Sequence, residues 1–160
     1  MKRSAIALTT VLMLAASGEI QATTTPQNPN FPTVTKKWLA AVNQKNNADG
    51  IAAFYAKDAV GVFAEGMFTG PQAIGADLSN YVTNYGWADV QIPYEQDSAP
   101  QGNWAWSYGC FTATVQGQAA TGYWSVTWVN VPGNTQHPWV MQQMTTTQAM
   151  PPVSPKCSKA

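Results

Sequence analysis

Glu65 is the acidic residue whose neighbours in the sequence could support chemistry. It follows Phe63 by two residues in a strand-like run and is itself followed by Gly66. A carboxylate enclosed by aromatic rings loses hydration, and the resulting rise in its pKa would make it a general base near neutral pH. The same residues are also typical of a glutamate in water at the tip of a hairpin. Glu65 is therefore the candidate catalytic residue, and its depth must decide between these interpretations.

The histidine and the remaining acidic residues predict no metal site. His137 follows a Pro-Gly-Asn turn, where we expect an exposed strand start rather than a catalytic base. One histidine and two distant cysteines cannot supply three nitrogen or sulfur ligands for zinc. Magnesium or calcium would need clustered carboxylates, which the sequence spacing of the aspartates does not indicate. The sequence also lacks a P-loop and a nucleophile elbow, so we expect neither a metal nor another cofactor.

The two cysteines are Cys110, inside a strand-like run, and Cys157, in a proline-rich segment near the end of the sequence. In an oxidising compartment a disulfide between them would pin residues 149–160 to the sheet. The alternative is a buried free thiol at Cys110 and a loose tail. Spacing in the sequence does not decide between the two, because it does not give the distance between the Cα atoms.

Residues 1–22 have the pattern of a secretory signal peptide. Lys2 and Arg3 precede an uncharged, mostly apolar stretch from Ala5 to Ala16, which is too short for a membrane-spanning helix. Cleavage is expected between Gly18 and Ala22. We therefore expect an exported protein, periplasmic or secreted, with no membrane span in the mature chain.

Composition limits the class of partner. The 160 residues are 45% hydrophobic and 10% charged, with eight basic and eight acidic side chains. A neutral chain has no basic surface for a phosphate backbone, so nucleic acid is excluded as a partner. The length suits one domain, predicted at residues 33–148 after a linker at 23–32. The partner that we expect instead is a small, uncharged organic molecule.

Helical spacing dominates the first half of the domain. Thr33 or Thr35 is expected to cap a first helix that carries Trp38 on its apolar side. Asp49 is expected to cap a short second helix, which Lys57 and Asp58 would end. A hairpin around residues 65–66 follows, and Pro71 begins the most clearly amphipathic helix.

The second half of the domain predicts long antiparallel strands at residues 87–94, 104–115, 119–131 and 139–147. In the second of these, bulky residues change from even to odd positions at Gly109–Cys110, which predicts a β-bulge there. The third strand alternates cleanly. Trp124, Val126 and Trp128 are expected on one face, and the polar residues and Tyr123 between them on the other.

These elements predict an α+β domain in which three N-terminal helices cap a strongly curved, mostly antiparallel sheet. Such a sheet encloses a cone, and an aromatic lining would bury most of the surface of a small apolar ligand. The residues expected to line this pocket are Trp38, Tyr55, Phe63, Tyr81, Tyr85, Tyr108, Trp124 and Trp128.

The run from Trp38 to Val60, followed by the segment at 69–74, resembles the nuclear transport factor 2-like superfamily. Its branch of SnoaL-like polyketide cyclases and ketosteroid isomerase looks nearest. The segments at 104–109, 122–128 and 138–139 are similar to strand signatures of that superfamily, so the resemblance spans roughly residues 33–148. It implies a cone-shaped domain and, for many relatives, a homodimer formed through the sheet face.

The resemblance does not extend to the catalytic residues of the isomerase. Counting forward from Asp58 puts Phe63 at the position of the general base, and Trp38 stands where the isomerase has its oxyanion-binding tyrosine. The protonated aspartate of the isomerase would fall near residues 125–127, where this chain has Ser, Val and Thr. Isomerase chemistry of that type is therefore not expected.

Three functions follow as hypotheses. The first is an exported, dimeric protein that binds a small organic molecule without catalysis. The second is a cofactor-free isomerase, cyclase or dehydratase that uses Glu65 as base. The third is a dimerisation or protein-interaction module whose exposed sheet face is the site. A fold of this kind can host any of the three.

Overall fold

The structure, a computed structural model, describes residues 29–148. One curved, open sheet contains six strands, and three helices pack on one of its faces. The helices are α1 (Phe31–Val42), α2 (Ala48–Ala52) and α3 (Pro71–Thr83), and the strands are β1 (Tyr55–Phe63), β2 (Gly66–Thr69), β3 (Trp87–Asp97), β4 (Trp104–Val115), β5 (Gln118–Asn130) and β6 (Trp139–Gln148). The sheet order is β2-β1-β6-β5-β4-β3. The β1–β6 pair is parallel and the others are antiparallel, as expected for a mostly antiparallel α+β domain.

Helix α1 begins two residues before the predicted start of the domain. Asn30 is its N-cap, and the Asn30 side chain accepts a hydrogen bond from the Thr33 backbone amide at 3.1 Å. The predicted caps, Thr33 and Thr35, were wrong. Thr35 instead faces the sheet, where its hydroxyl donates to Glu95.

The boundary between α2 and β1 also differs from the sequence prediction. Asn47, not Asp49, occupies the N-cap position of α2, and β1 already begins at Tyr55. Lys57 and Asp58 therefore lie within a strand and do not end a helix. The cause is tertiary pairing, because the Met141 amide on β6 donates to the Phe54 carbonyl at 2.8 Å and draws this segment into the sheet.

The β4–β5 pair runs in continuous register from Trp104–Val129 to Val115–Gln118, so the bulge predicted at Gly109–Cys110 is absent. Odd-numbered residues of β4 face the core along most of the strand. They are small where β5 is large: Ala105 lies opposite Trp128, and Gly109 lies opposite Trp124. A Cβ atom on Gly109 would come within 1.9 Å of the Tyr94 carbonyl oxygen. The even-numbered aromatic residues of β4 consequently lie on the outer face.

The curvature of the sheet comes from its edges. Strand β3 shifts register against β4 twice, between Ala88 and Gln91 and again between Gln91 and Tyr94. Asp89 has a φ of 52° at the first shift, and bulges of this kind bend a strand and increase its twist. Strand β6 shifts once against β5, beside Trp128. Together these shifts wrap the sheet partly around the helices.

Asn43 fastens the end of α1 to the first bulge of β3. Its side-chain oxygen accepts a hydrogen bond from the Val90 amide, and its side-chain nitrogen donates to the Val90 carbonyl, both at 2.9 Å. The Asn43 amide thus supplies partners to backbone groups beside the register shift.

The core lies between the helices and the inner face of the sheet. Trp128 is fully buried there and stacks on Phe31 with 5.0 Å between ring centroids. Cys110 is buried on β4 and does not carry a free thiol. Its predicted partner, Cys157, lies outside the described residues, as do the signal peptide, most of the predicted linker and the C-terminal tail. Among residues 29–148, no helix is both long and apolar enough to cross a bilayer.

Candidate functional site

A cavity opens between the helices and the curved sheet, at the end of the core where α3, the β1–β2 hairpin and β3 meet. Its wall is mostly apolar, with aromatic rings from two helices and three strands and few polar side chains. The lining residues are Trp38, Val42, Ala64, Glu65, Leu78, Tyr81, Val82, Trp87, Val90, Ile92, Phe111, Trp124, Met144, Thr146 and Gln148. The centres of water molecules can occupy about 70 Å³ of it. Since one water needs about 10–15 Å³ on this measure, the cavity has room for the body of a small molecule.

Three of the eight residues predicted to line the pocket lie on this wall: Trp38, Tyr81 and Trp124. Sequence reasoning missed Trp87 and Phe111. Trp87 is the first residue of β3, and its ring lies 5.0 Å from Tyr81 and 6.0 Å from Phe111 between centroids. Their aromatic side chains at strand positions were the available signal, but which face they occupy depends on the bulges of β3 and on the register of β4.

The other five predicted pocket residues do not line the cavity. Tyr55, Phe63 and Trp128 are buried in the core, where they pack against the helices and neighbouring strands. Tyr85 lies past the end of α3 and is 51% exposed. Tyr108 is 39% exposed on the outer face of the sheet, because the register of β4 is continuous. Aromatic character alone did not show which of the predicted residues line the cavity, which fill the core and which lie on the outer surface.

Two tyrosine hydroxyls mark the opposite ends of this region. The Tyr55 hydroxyl donates to Met144 Sδ at 3.0 Å, deep in the core, and burial raises the pKa of this phenol above its ordinary value. The Tyr81 hydroxyl donates to Glu65 Oε2 at the exposed mouth. The indole nitrogen of Trp124 is buried toward β4 and has no hydrogen-bond partner within residues 29–148. Trp38 interacts with the Tyr55 hydroxyl and opposes the rise of its pKa. The polar group that the cavity presents to a ligand is therefore the carboxylate at its mouth.

Glu65 combines features of both interpretations of its sequence. It lies in the turn between β1 and β2 and is exposed, as expected of a residue at a hairpin tip. It also lines the cavity and accepts the hydrogen bond of a phenol. Asp77, one turn before Tyr81 on α3, is close enough to Glu65 to be affected by the negative charge of the Glu65 carboxylate. Burial, and to a smaller extent the negative charge of Glu65, raise the pKa of Asp77 to about 6.

A second group of polar residues lies beyond the cavity, between α1 and the far ends of β3 and β4. Thr35 donates to Glu95 Oε1 at 2.8 Å, and Ser107 donates to Asp97 Oδ1 at 2.5 Å. Trp128 Nε1 in turn donates to Ser107 Oγ at 2.8 Å. Burial raises the pKa of Glu95 to about 7, the Thr35 hydrogen bond opposes the rise, and Asp97 adds to it. This network sits outside the cavity wall.

His137 is less exposed than predicted. It is half-buried, and its ring packs on Phe54 with 4.5 Å between centroids. Burial lowers the pKa of the imidazole, and nearby Lys37 lowers it further. Within the part of the chain that the structure describes, His, Cys, Asp and Glu form no group of three or more that could hold a metal ion.

On the outer face of the sheet, strands β4, β5 and β6 carry exposed aromatic side chains and, within residues 29–148, no charged ones. Trp106 is 49% exposed and Tyr123 51%, and the rings of Trp106 and Tyr108 stack with centroids 5.4 Å apart. Ser125, Thr127, Gln143 and Thr145 surround them in a shallow concavity. As predicted, the polar residues of β5 share this face, and Trp124, Val126 and Trp128 face the core.

No protein-family model and no curated protein matches the chain. Solved structures do match its fold. One is a nuclear transport factor 2-like protein of unknown function from Pseudomonas aeruginosa, 12% identical over 75% of this chain and 98% of that one, with a TM-score of 0.60. A second, from Pseudomonas putida, is 17% identical over 73% and 82% of the two chains at 0.60.

A third similar structure is a proposed scytalone dehydratase from Novosphingobium aromaticivorans. It is 15% identical over 75% of this chain and 82% of that one, with a TM-score of 0.61. Identities this low relate backbones and not active sites. The element order, the curved sheet and these structures agree with the sequence resemblance, and the chain has the nuclear transport factor 2-like fold.

Proposed function

We propose that the protein binds a small, largely apolar organic molecule in the cavity between its helices and its sheet. The observation that carries this proposal is the wall itself, in which five aromatic rings and several aliphatic side chains leave open space beside an exposed mouth. An apolar cavity of this kind gains free energy when a ligand replaces water. The sequence predicted an uncharged ligand. In this proposal, that prediction concerns the part of the ligand that the cavity wall would enclose.

The location and assembly of the protein form part of the same proposal. The N-terminal pattern supports export to the periplasm or beyond, because a basic start precedes a short apolar stretch. The uncharged outer face with exposed Trp106 and Tyr123 supports a homodimer formed through the sheet, since interfaces between identical subunits are poor in charge and rich in aromatic residues. The same face would serve the alternative function of a protein-interaction module.

The alternative of catalysis rests on Glu65 and Tyr81. A carboxylate and a phenol in contact at the mouth of a cavity could move a proton within a bound substrate, as a cofactor-free isomerase, cyclase or dehydratase requires. Against this, Glu65 is exposed, so its carboxylate lies in water at the mouth and not within a closed pocket. Binding without catalysis is therefore the function we place first.

The test is native mass spectrometry of the protein purified from its own host, followed by identification of any retained small molecule. Binding of that molecule is then measured for two variants. Val90→Trp narrows the cavity and should weaken binding at least tenfold, whereas Ser125→Trp on the outer face should not change it. Equal binding by both variants would place the ligand elsewhere and reject the proposal.

Glu65→Gln separates binding from catalysis. The substitution keeps the size of the side chain and its ability to accept from Tyr81, so folding should be unchanged. If the protein only binds, the retained molecule is recovered unaltered from both proteins. Conversion of that molecule by the wild-type protein and not by Glu65→Gln would establish the catalytic alternative.

A further inference from the structure

The aromatic wall of the cavity is continuous around one side. Tyr81 contacts Trp87, and Trp87 contacts Phe111, with 5.0 and 6.0 Å between ring centroids. Trp38 and Trp124 complete the wall from α1 and β5. Aromatic faces carry partial negative charge and attract organic cations, most strongly where water is excluded. The wall therefore suits an apolar body that carries a positive charge better than one that carries a negative charge.

The ionisable groups at the mouth have one sign. Among residues 29–148, Glu65 is the single charged residue in the wall, and no lysine or arginine of that range lines it. Asp77 lies close to Glu65, and its buried Oδ2 has no hydrogen-bond partner within the described residues. Tyr81 donates a hydrogen bond to Glu65 and so holds its carboxylate at the mouth. Glu65 therefore lies at the mouth with a second carboxylate near it on α3, and neither has a cationic partner among the described residues.

A lysine in a neighbouring depression does not change the negative sign of the charge at the mouth. Lys45 lines a second depression, which shares Val82, Trp87 and Val90 with the cavity wall. Asp89 lines the same depression, so that the two charges oppose one another there. Among the described residues, the wall itself therefore carries only the charge of Glu65.

We propose that the ligand of this cavity is an organic cation, with an apolar body among the aromatic rings and an ammonium group at the mouth beside Glu65. This inference rests on the proposed binding function and adds the chemical class of the ligand. An anionic ligand of the same size is repelled by both carboxylates. A neutral one gains the apolar contacts but leaves the carboxylates without a counter-charge.

Three probes of similar size and different charge test the proposal: benzylamine, benzyl alcohol and benzoate. Binding is followed through the indole N–H signals of Trp38 and Trp124 in ¹⁵N-labelled protein at pH 7.5, assigned by Trp→Phe variants. Benzylamine should bind at least tenfold more tightly than benzyl alcohol, and benzoate should bind most weakly. Glu65→Gln should reduce the affinity for benzylamine severalfold or more and leave that for benzyl alcohol unchanged.

Asp58→Asn is the matched control, because it neutralises a carboxylate on β1 that is not part of the cavity wall. It should alter the affinity of none of the probes. If benzyl alcohol binds as tightly as benzylamine to the wild-type protein, the charge proposal is wrong and the binding function stands. If none of the three probes shifts the indole signals, the binding function and this inference both fail.

Discussion

The hydroxyl of Tyr81 on α3 donates a hydrogen bond to the carboxylate of Glu65 in the β1–β2 turn, and this contact joins two elements across the mouth of the cavity. Both residues also line the cavity. Helix α3 also packs against β1 and β2, and Tyr81 adds a side-chain contact that holds Glu65 at the hairpin tip, sixteen residues away in the chain. Access to the cavity and the placement of its single wall carboxylate are therefore coupled.

Tyr81→Phe should loosen that coupling with little effect on the fold. The variant keeps the aromatic ring in the wall and removes the hydroxyl, so the free energy of unfolding should fall by less than about 1 kcal/mol, as for an exposed hydrogen bond. Amide exchange of residues 64–66 should accelerate, because the turn loses its contact with α3. Tyr85→Phe, an exposed phenol four residues later, is the control and should alter neither quantity. Unchanged exchange in Tyr81→Phe would show that the contact does not hold the rim.

Asn43→Ala should destabilise the protein more than its exposed position suggests. The substitution removes both partners of the Val90 backbone at the first bulge of β3, and we expect a loss of about 1–2 kcal/mol in urea unfolding. Asn84→Ala is matched in chemistry, but its side-chain nitrogen bonds to the Asn80 side chain on the same helix, and the expected loss is below about 0.5 kcal/mol. Equal losses would mean that Asn43 is not a fastening point between α1 and β3.

The order and type of the long elements could be predicted from the sequence because their patterns are local. The alternation of β5 and the helical spacing of α3 both depend on residues within one element. The face of β4 could not be predicted in this way. Its bulky residues at even positions suggested a core face, but Gly109 and Ala105 face inward because Trp124 and Trp128 on β5 fill the space above them.

The cavity was harder to predict than the fold for the same reason. Trp38 and Trp124 were expected on its wall because both lie on the apolar side of a clearly patterned element. Tyr55 was assigned to a helix and to the pocket, but pairing with Met141 on β6 makes it the first residue of β1. Trp87 reaches the wall only because β3 bulges beside it. The pairing of distant strands, which leaves no local signal in the sequence, decided the positions of Tyr55 and Trp87.

The proposed dimer predicts that a charge on the outer face will produce monomers. Tyr123→Lys places an ammonium group on a central strand where two copies of the sheet would meet, and a charge buried against its own symmetry mate is strongly unfavourable. Sedimentation equilibrium should show a dimer for the wild-type protein and a dissociation constant raised at least a hundredfold for the variant. Gln72→Lys adds the same charge on exposed α3 and should remain dimeric. A monomeric wild-type protein would leave the outer face to another partner.

Glu95 predicts how stability depends on pH. Burial, opposed by the Thr35 hydrogen bond and reinforced by Asp97, raises its pKa from 4.5 in the unfolded chain to about 7 in the folded protein. The folded state therefore binds more protons than the unfolded state between these values. The resulting stabilisation is fully present below pH 4.5 and is lost as the pH rises through 7. Because Glu95 keeps some contact with water, we expect a loss of about 1–2 kcal/mol.

Glu95→Gln isolates this contribution. The amide resembles the protonated carboxyl group in size and can still accept from Thr35 and donate to Asp97, but it does not titrate. Asp77 changes stability in the same direction at lower pH, and His137, with its lowered pKa, changes it in the opposite direction. Both are present in the two proteins and cancel in the difference. Urea unfolding from pH 4.5 to 8.5 should therefore show a wild-type stability that falls relative to Glu95→Gln, mainly between pH 5 and 8. Parallel curves would mean that Glu95 ionises in the folded protein as it does in the unfolded chain, and that burial and the neighbouring Asp97 do not favour its protonated form.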